Sequence, residues 1–175
     1  MQNRAIFLDR DGVINIDKGY VYEQENFIFT DGIFEALKHF QKCGYLLFVA
    51  TNQSGIARGY YSEDDFLKLT KYMLDEFTKK GINITKVYYC PHSPEANCQC
   101  RKPNPKMLLD AKEEFDINMN ASWLIGDKQS DIKAALNAKI ENTVYFGEGE
   151  TTAKYKIKSL KEMMKLISLT CKENF

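Results

Sequence analysis

The feature that most constrains this chain is a repeated alternation between short apolar runs and longer segments with helical periodicity. We interpret the apolar runs as strands, at Ala5–Leu8, Tyr45–Ala50, Lys86–Cys90, Ser122–Ile125 and Thr143–Phe146. Runs that are apolar at nearly every position are typical of parallel strands buried on both faces, with helices packed on each side. The sequence therefore predicts an α/β fold, a single-domain Rossmann-like parallel sheet with helices on both faces, over residues 1–175.

The segments between these runs carry helix signals. Ser62 followed by three acidic residues is typical of an N-cap with an acidic first turn, and Gly81 is expected to end that helix. Asn104 followed by Pro105 predicts another helix start, with the asparagine as its cap. The lysine-rich segment Thr151–Phe175 is expected to form a packing helix with a solvated face.

Charge and hydropathy exclude several classes of partner. The chain has 24 basic and 24 acidic side chains, so no net field favours nucleic acid or an anionic membrane. Its longest purely apolar run has six residues, from Tyr45 to Ala50, against the roughly 20 needed to span a bilayer. Charged residues at 9–11 stand where an export signal needs apolar ones. We therefore expect a cytoplasmic protein that binds neither nucleic acid nor membrane. Because no clear interface stripe stands out beyond the helices that the core needs, we also expect a monomer.

Polar residues follow four of the predicted strands at the point where each strand ends. Asp9 follows the first, Thr51-Asn52 the second, Cys90 the third and Gly126-Asp127 the fourth. Parallel α/β sheets place their ligands just beyond the carboxyl ends of the strands. These residues are therefore expected to meet in one site.

Asp9 and Asp11 leave the first strand two residues apart, so in extended backbone both side chains can project to one side. One carboxylate can then attack as a nucleophile, while the other protonates the leaving group and later deprotonates water. The alternative is an acidic turn in which Asp9 caps the next segment. A carboxylate pair at a strand end favours the catalytic interpretation.

Asp127 supplies a further carboxylate at the fourth strand end, so that it forms with Asp9 and Asp11 an oxygen-rich site of the kind that Mg²⁺ takes. Asp131 either supports this site or favours the start of a helix through its dipole. The stretch 51–55, with its hydroxyls and amides, suits phosphate oxygens, and Lys102 can add a positive charge.

Three cysteines and a histidine lie close together in the sequence: Cys90, His92, Cys98 and Cys100. Three thiolates and one imidazole make a closed, structural Zn²⁺ set. The alternative is a chance cluster of reduced cysteines. A zinc-bound loop here would position the two cations that follow it, Arg101 and Lys102.

The remaining soft ligands are isolated in the sequence. Five cysteines in a chain with no export signal argue against a disulfide framework. Cys43 and Cys171 are therefore expected to act as small hydrophobic residues, and His39 to lie on a helix surface.

Two other functional classes fit parts of this pattern. A signalling receiver also carries a phosphorylated aspartate on a parallel α/β fold, but it does not need a second acid such as Asp11. A zinc-dependent binding module would use 90–102 for recognition and leave the three aspartates unexplained.

The ordered motifs Asp9–Val13, Thr51-Asn52, Lys102 and Gly126-Asp127 resemble those of the haloacid dehalogenase superfamily of phosphohydrolases. Longer stretches, at 19–21, 51–59, 90–103 and 125–128, resemble the heptose bisphosphate phosphatases of that superfamily, over the chain up to about residue 147. Histidinol-phosphate phosphatases, with similar zinc ligands, remain the alternative.

The resemblance implies Mg²⁺-dependent removal of the 7-phosphate from a small sugar bisphosphate through an aspartyl phosphate, in nucleotide-heptose synthesis for surface polysaccharide. Asp9 would be the nucleophile and Asp11 the acid/base. Mg²⁺ would lie on Asp9, the Asp11 carbonyl and Asp127, with Lys128 adjacent. The zinc loop would replace a cap domain, for which the chain has no long enough insertion.

The resemblance also implies the groups around the substrate. Thr51 and Lys102 would stabilise the transferring phosphoryl group. The sugar or its second phosphate would contact Asp17, Lys18, Gly19, Tyr20, Asn52, Gln53, Ser54 and Arg101. A bisphosphate needs cations at both ends, and Arg58 is with Arg101 a candidate for the non-reacting phosphate.

Overall fold

Residues 2–171 are described by a computed structural model, whose centre is a six-stranded sheet with every strand parallel to its neighbours. The strands are β1 (Arg4–Leu8), β2 (Tyr45–Asn52), β3 (Ile84–Cys90), β4 (Trp123–Gly126), β5 (Asn142–Phe146) and β6 (Tyr155–Ile157). Their order across the sheet is β3-β2-β1-β4-β5-β6. β1 therefore lies at the centre, between β2 and β4, and the residues that follow it reach the middle of the carboxyl edge.

Helices cover both faces of this sheet. They are α1 (Ile33–Lys42), α2 (Glu63–Lys79), α3 (Lys106–Phe115), α4 (Gln129–Asn137) and α5 (Leu160–Cys171). In β1, Ile6 and Leu8 join a core built with α1, α2 and α5, while Ala5 and Phe7 join a second core built with α3 and α4. Because successive side chains point to opposite faces, a strand buried on both sides must be apolar throughout. The predicted two-faced architecture is confirmed.

The sixth strand was not predicted, since β6 has three residues and no apolar run. β6 lies in the lysine-rich segment and pairs with β5, where Val144 is opposite Tyr155. The helix expected in that segment is α5, which buries Leu160, Met163 and Ile167 and leaves Lys161 and Lys165 exposed. Residues 172–175 of the segment lie outside the described part of the chain.

The helix caps are partly as predicted. Ser62 and Asp65 form a reciprocal capping box at the start of α2. Asn104 does not cap α3: the helix has Pro105 at its N-cap without a side-chain hydrogen bond. The Asn104 amide instead donates to the Cys98 carbonyl at 2.8 Å. The side chain that was expected to cap the helix therefore binds the loop before it. No helix within residues 2–171 has both the length and the apolar character needed to cross a bilayer.

Cys43 and Cys171 pack half-buried against the core, as predicted, but they are joined to each other, so the prediction against a disulfide is wrong. Cys43 follows α1 and Cys171 ends α5, and the packing of these helices brings the two cysteines together as a disulfide. His39 is half-buried between the same helices rather than a free surface residue, with Nε2 2.9 Å from Ser168 Oγ. Periodicity within one segment carries no information on such pairing across 128 residues.

Candidate active site

Asp9 is the first residue after β1 and is buried at the central carboxyl edge of the sheet. Its backbone N–H donates to the Ile125 carbonyl at 3.1 Å, which ties the start of the loop to β4. Its Oδ1 accepts hydrogen bonds from the Arg10 amide at 2.9 Å and from the Lys102 ammonium at 3.0 Å. The carboxylate is therefore held in one orientation where the strand ends converge.

Asp9, Asp127 and Asp131 place carboxylate oxygens within 4.8 Å of one another. Burial raises the pKa of Asp9 well above its usual value, and the nearby charge of Asp131 adds to this rise. Burial also raises the pKa of Asp127, whose buried Oδ1 has no hydrogen-bond partner among residues 2–171. Crowded, partly unsatisfied carboxylates of this kind fit a hard divalent cation such as Mg²⁺.

Lys102 is 4 % exposed, and its ammonium is enclosed by acceptors. It lies 2.6 Å from Asp131 Oδ1 and 3.0 Å from Asp9 Oδ1, and it donates to the Ala50 carbonyl at 2.7 Å. Burial alone lowers the pKa of Lys102, but the charges of Asp131 and Asp9 outweigh burial and raise that pKa. The side chain therefore stays cationic beside Asp9.

The sequence left two roles open for Asp131, support of the site and the start of a helix, and Asp131 has contacts that serve both. Its Oδ2 accepts from the Lys128 amide at 3.1 Å and so caps the start of α4. Its Oδ1 pairs with Lys102 across the site. Gly126 leaves room for this arrangement, because a Cβ on that residue would lie 2.3 Å from the Asp131 Cβ.

Asp11 is fixed by three neighbouring side chains. Its Oδ1 accepts from Arg10 Nη2 at 2.9 Å and from Asn15 Nδ2 at 3.0 Å, while its Oδ2 accepts from Gln53 Nε2 at 3.0 Å. The Arg10 guanidinium is itself buried, with its Cζ 5.9 Å from the Phe27 ring centre and 5.8 Å from that of Phe66. Arg10 and Asn15 were not predicted, since a charged or amide side chain beside a motif is usually solvated.

The Gln53 amide is oriented by a tyrosine that sequence reasoning also missed. Tyr61 donates from its hydroxyl to Gln53 Oε1, which turns the amide N–H groups toward Asp11 and Thr51. A Cβ at Gly55 would lie 2.2 Å from the Tyr61 ring, so the glycine admits this approach. Burial raises the pKa of Tyr61 from 10 to about 12, which extends into alkaline pH the range over which the hydroxyl is a donor.

The four predicted soft ligands form one cluster. Cys90 Sγ lies 3.4 Å from Cys98 Sγ and 3.5 Å from His92 Nδ1, and Cys100 Sγ lies 3.3 Å from that nitrogen. Tetrahedral zinc with bonds of about 2.3 Å separates its sulfur ligands by about 3.8 Å. The donor set and its spacing therefore fit Zn²⁺. Burial opposes ionisation of Cys98, but hydrogen bonds, chiefly from Cys90, outweigh it and lower the pKa of Cys98 to about 6.

The loop that leaves this cluster is attached on two sides. Arg101 Nη1 donates to the His92 carbonyl at 3.4 Å. Asn52, at the end of β2, donates to the Lys102 carbonyl at 3.1 Å and accepts from the Lys102 amide at 3.0 Å. The Asn52 amide thus holds the backbone of the buried lysine in register with the sheet.

A cavity of about 340 Å³ opens over these groups, within the size range of small-molecule sites. Of the residues predicted for the substrate, those lining it are Asp17, Gly19, Tyr20, Asn52, Gln53, Ser54, Arg58 and Arg101. Lys18 is exposed and lies outside the lining, while Thr51 is buried below it. Lys128 lines the cavity 3.5 Å from Asp17. Tyr61 and Ser130 complete the wall and were not predicted.

Comparison with known proteins places this geometry in a family. A HAD-hydrolase-like family model matches residues 99–161. A Campylobacter jejuni protein named D-glycero-alpha-D-manno-heptose-1,7-bisphosphate 7-phosphatase is 54% identical over 166 residues, covering 94% of this chain and 95% of the relative. The chain belongs to the heptose-1,7-bisphosphate 7-phosphatase family. As a member of this family it is a HAD-like phosphoric monoester hydrolase.

Other members of the heptose-1,7-bisphosphate 7-phosphatase family agree in length and fold. The Helicobacter pylori protein named D-glycero-beta-D-manno-heptose-1,7-bisphosphate 7-phosphatase is 48% identical, covering 94% of this chain and 98% of the relative. The crystal structure of D,D-heptose 1,7-bisphosphate phosphatase from B. bronchiseptica, complexed with magnesium and phosphate, matches with a TM-score of 0.87 and 25% identity. That match covers 95% of this chain and 99% of the other.

Proposed function

We propose that this protein removes the 7-phosphate of D-glycero-D-manno-heptose 1,7-bisphosphate through an aspartyl-phosphate intermediate, in nucleotide-heptose synthesis for surface polysaccharide. The observation that carries the proposal is the pair Asp9 and Asp11, held by separate sets of donors beside a cavity that also holds Arg58 and Arg101. We further propose that the chain works as a cytoplasmic, single-domain monomer on this small substrate.

In the first step, an Asp9 carboxylate oxygen attacks phosphorus and the bond from phosphorus to the sugar oxygen breaks. Asp11 gives its proton to that leaving oxygen. Asp11 Oδ2 has the Gln53 amide as its one hydrogen-bond donor within residues 2–171, which supports Oδ2 as the oxygen that carries the proton. The sugar leaves as an alcohol and Asp9 carries the phosphoryl group.

In the second step, water attacks the aspartyl phosphate and Asp11 takes a proton from that water. The bond between phosphorus and the Asp9 oxygen breaks, so inorganic phosphate leaves and both carboxyl groups return to their starting states. Lys102 stabilises the negative phosphoryl oxygens, a role supported by its retained charge 3.0 Å from Asp9. Thr51 adds a hydroxyl from the end of β2.

Asp9, the Asp11 backbone carbonyl and Asp127 would hold Mg²⁺, with Lys128 next to them. The unpartnered Asp127 Oδ1 and the raised pKa of Asp9 support this set, because both are relieved by a cation. When bound, Mg²⁺ reduces the repulsion between the anionic nucleophile and the anionic phosphate.

The rest of the cavity would bind the sugar and its second phosphate. Lys102 is committed to Asp9 and Asp131, and Lys128 lies beside the Mg²⁺ ligands and Asp17, which leaves Arg58 and Arg101 among the cations of the cavity lining for the non-reacting phosphate. The loop from Asp17 to Tyr20, with Gln53 and Ser54, would contact the sugar. Zinc on Cys90, His92, Cys98 and Cys100 would hold Arg101 in place through the loop it organises.

The proposal is tested by phosphate release with Mg²⁺, comparing both anomers of heptose 1,7-bisphosphate with histidinol phosphate. We expect release from a bisphosphate to exceed release from histidinol phosphate, and ³¹P spectra to show loss of the 7-phosphate only. Asp9→Asn should abolish release while zinc content and circular dichroism stay unchanged. Preference for histidinol phosphate would overturn the substrate, and turnover by Asp9→Asn would overturn the nucleophile.

A further inference from the structure

A second group of reactive side chains lies between α1 and α5, at the amino edge of the sheet. Cys43 precedes the start of β2, whereas the aspartates of the candidate active site follow the carboxyl ends of the strands. Cys43 and Cys171 have Cα atoms 5.4 Å apart, within the range of natural disulfides. His39 Nε2 lies 3.7 Å from Cys43 Sγ. The phosphatase chemistry uses none of these groups.

The hydrogen bonds around His39 fix its role. Ser168 gives its single hydroxyl proton to the Met164 carbonyl at 2.8 Å. At 2.9 Å from the same oxygen, His39 Nε2 must therefore be the donor, and so it carries a proton. The same N–H group lies 3.7 Å from Cys43 Sγ, so its partial positive charge favours negative charge on that sulfur although its hydrogen bond goes to Ser168. Arg4 brings a cation, since its Nη2 donates to the Cys43 carbonyl at 2.7 Å.

We propose that Cys43, Cys171 and His39 form a reversible thiol–disulfide centre that joins α5 to α1, with Cys43 as the sulfur that leaves and re-forms as thiolate. In reduction, an external thiolate attacks Cys171 Sγ, the bond between the two cysteine sulfurs breaks, and Cys43 leaves as the thiolate stabilised by His39. A second external thiolate then attacks the external sulfur of the mixed disulfide and releases Cys171. The products are two protein thiols and one small disulfide, with the two protons supplied by the attacking thiols.

Oxidation by a small disulfide follows the same path in reverse. Cys171 first forms the mixed disulfide and releases one small thiol. The Cys43 thiolate then displaces the second small thiol and closes the protein disulfide. Because closure links residues 128 positions apart, it restricts the unfolded chain strongly.

The first experiment counts thiols and trapped adducts in zinc-loaded protein treated with oxidised glutathione. After denaturation and zinc removal we expect three free thiols, against five in the dithiothreitol-reduced protein, and a peptide that joins Cys43 to Cys171. Cys43→Ser should accumulate glutathione on Cys171, and Cys171→Ser should accumulate it on Cys43, because neither variant has the partner thiol that displaces it. Five thiols after oxidation, or no trapped glutathione in Cys43→Ser, would overturn the proposal.

The second experiment isolates His39. His39→Leu should slow reduction of the disulfide by dithiothreitol about threefold to tenfold, since the leaving thiolate loses the partial positive charge of the neighbouring N–H group. His39→Gln keeps an N–H group and should recover part of that rate. Equal rates for the wild type, His39→Leu and His39→Gln would overturn the role of His39.

The third experiment measures what disulfide formation does to stability, to turnover and to zinc content. Oxidation should raise the unfolding midpoint by about 10 °C in the wild type and not in Cys43→Ser. The ratio of turnover to KM should stay within twofold, because the centre lies at the opposite edge of the sheet from Asp9. A second zinc per reduced chain that is lost in Cys43→Ser would instead show a metal site and overturn the disulfide role. The thiol count, the rate of disulfide reduction and the unfolding midpoint do not depend on the identity of the phosphatase substrate.

Discussion

Gly12→Ala should weaken Mg²⁺ binding by much more than its small loss of fold stability explains. Gly12 has φ of +90°, and a Cβ on it would lie 2.0 Å from Asp127 Oδ2. Since non-bonded atoms at a Cβ keep at least 3.0 Å, the Asp127 carboxylate must move by about 1 Å. Metal sites hold their ligand distances within about 0.2 Å. A displacement of this size therefore removes Asp127 as a ligand in its present position.

We expect the Mg²⁺ concentration for half-maximal phosphate release to rise about ten- to a hundredfold in Gly12→Ala, or about 1.4 to 2.7 kcal/mol of binding free energy. The positive φ adds about 1–2 kcal/mol of strain to the fold. For a chain of this size, that strain lowers the unfolding midpoint by about 2–8 °C. Calorimetric titration with Mg²⁺ measures the same loss without turnover.

Gly81→Ala is the matched control. Gly81 has φ of +73° in the loop between α2 and β3, and a Cβ there meets no atom of the described residues 2–171 within 4 Å. It should therefore lose a similar amount of stability and bind Mg²⁺ like the wild type. A half-saturating Mg²⁺ concentration in Gly12→Ala within twofold of that in Gly81→Ala would refute the assignment of Asp127 as a ligand.

Two further predictions concern pH and the soft-ligand cluster. Burial raises the pKa of Tyr61 from 10 to about 12, so between pH 10 and 12 the unfolded chain releases a proton that the folded chain keeps, and stability falls as pH rises. Urea unfolding should show that the free energy of unfolding falls less between pH 9 and pH 11.5 in Tyr61→Phe than in the wild type. An equal fall in both proteins would contradict the burial argument. Removal of zinc by a chelator should raise KM, because the loop that carries Arg101 loses its anchor; an unchanged KM in metal-free protein would contradict that positioning role.

Much of the fold and of the candidate site follows from local sequence. β1 is apolar at each of its last four positions because both of its faces are buried, and this pattern alone locates Asp9 at a strand end. The cysteines and histidine of residues 90–100 lie close enough in sequence for their spacing to predict a cluster. In each case, the groups lie within one strand or within a strand end and the loop that follows it.

The missed features depend on contacts between distant segments. The local sequence does not predict a buried Arg10, because an arginine is usually solvated. In the structure two aromatic rings and Asp11 enclose it. Tyr61 reaches the site only because the loop after β2 folds back over Gly55. Cys43 meets Cys171 only because α5 packs on α1. Periodicity predicts that helices cover the sheet, but it does not predict which side chains meet where two of them touch.

Adjacent residues 101 and 102 are anchored by different parts of the molecule. Arg101 donates a hydrogen bond to the carbonyl of His92 in the soft-ligand cluster. The backbone amide and carbonyl of Lys102 are both hydrogen-bonded to the side chain of Asn52 at the end of β2. A change in the cluster or in the length of its loop is therefore expected to displace Arg101 more than Lys102. Exchange of the segment before residue 101 would then alter the contacts to the distal part of a substrate, while Asn52 keeps Lys102 beside Asp9.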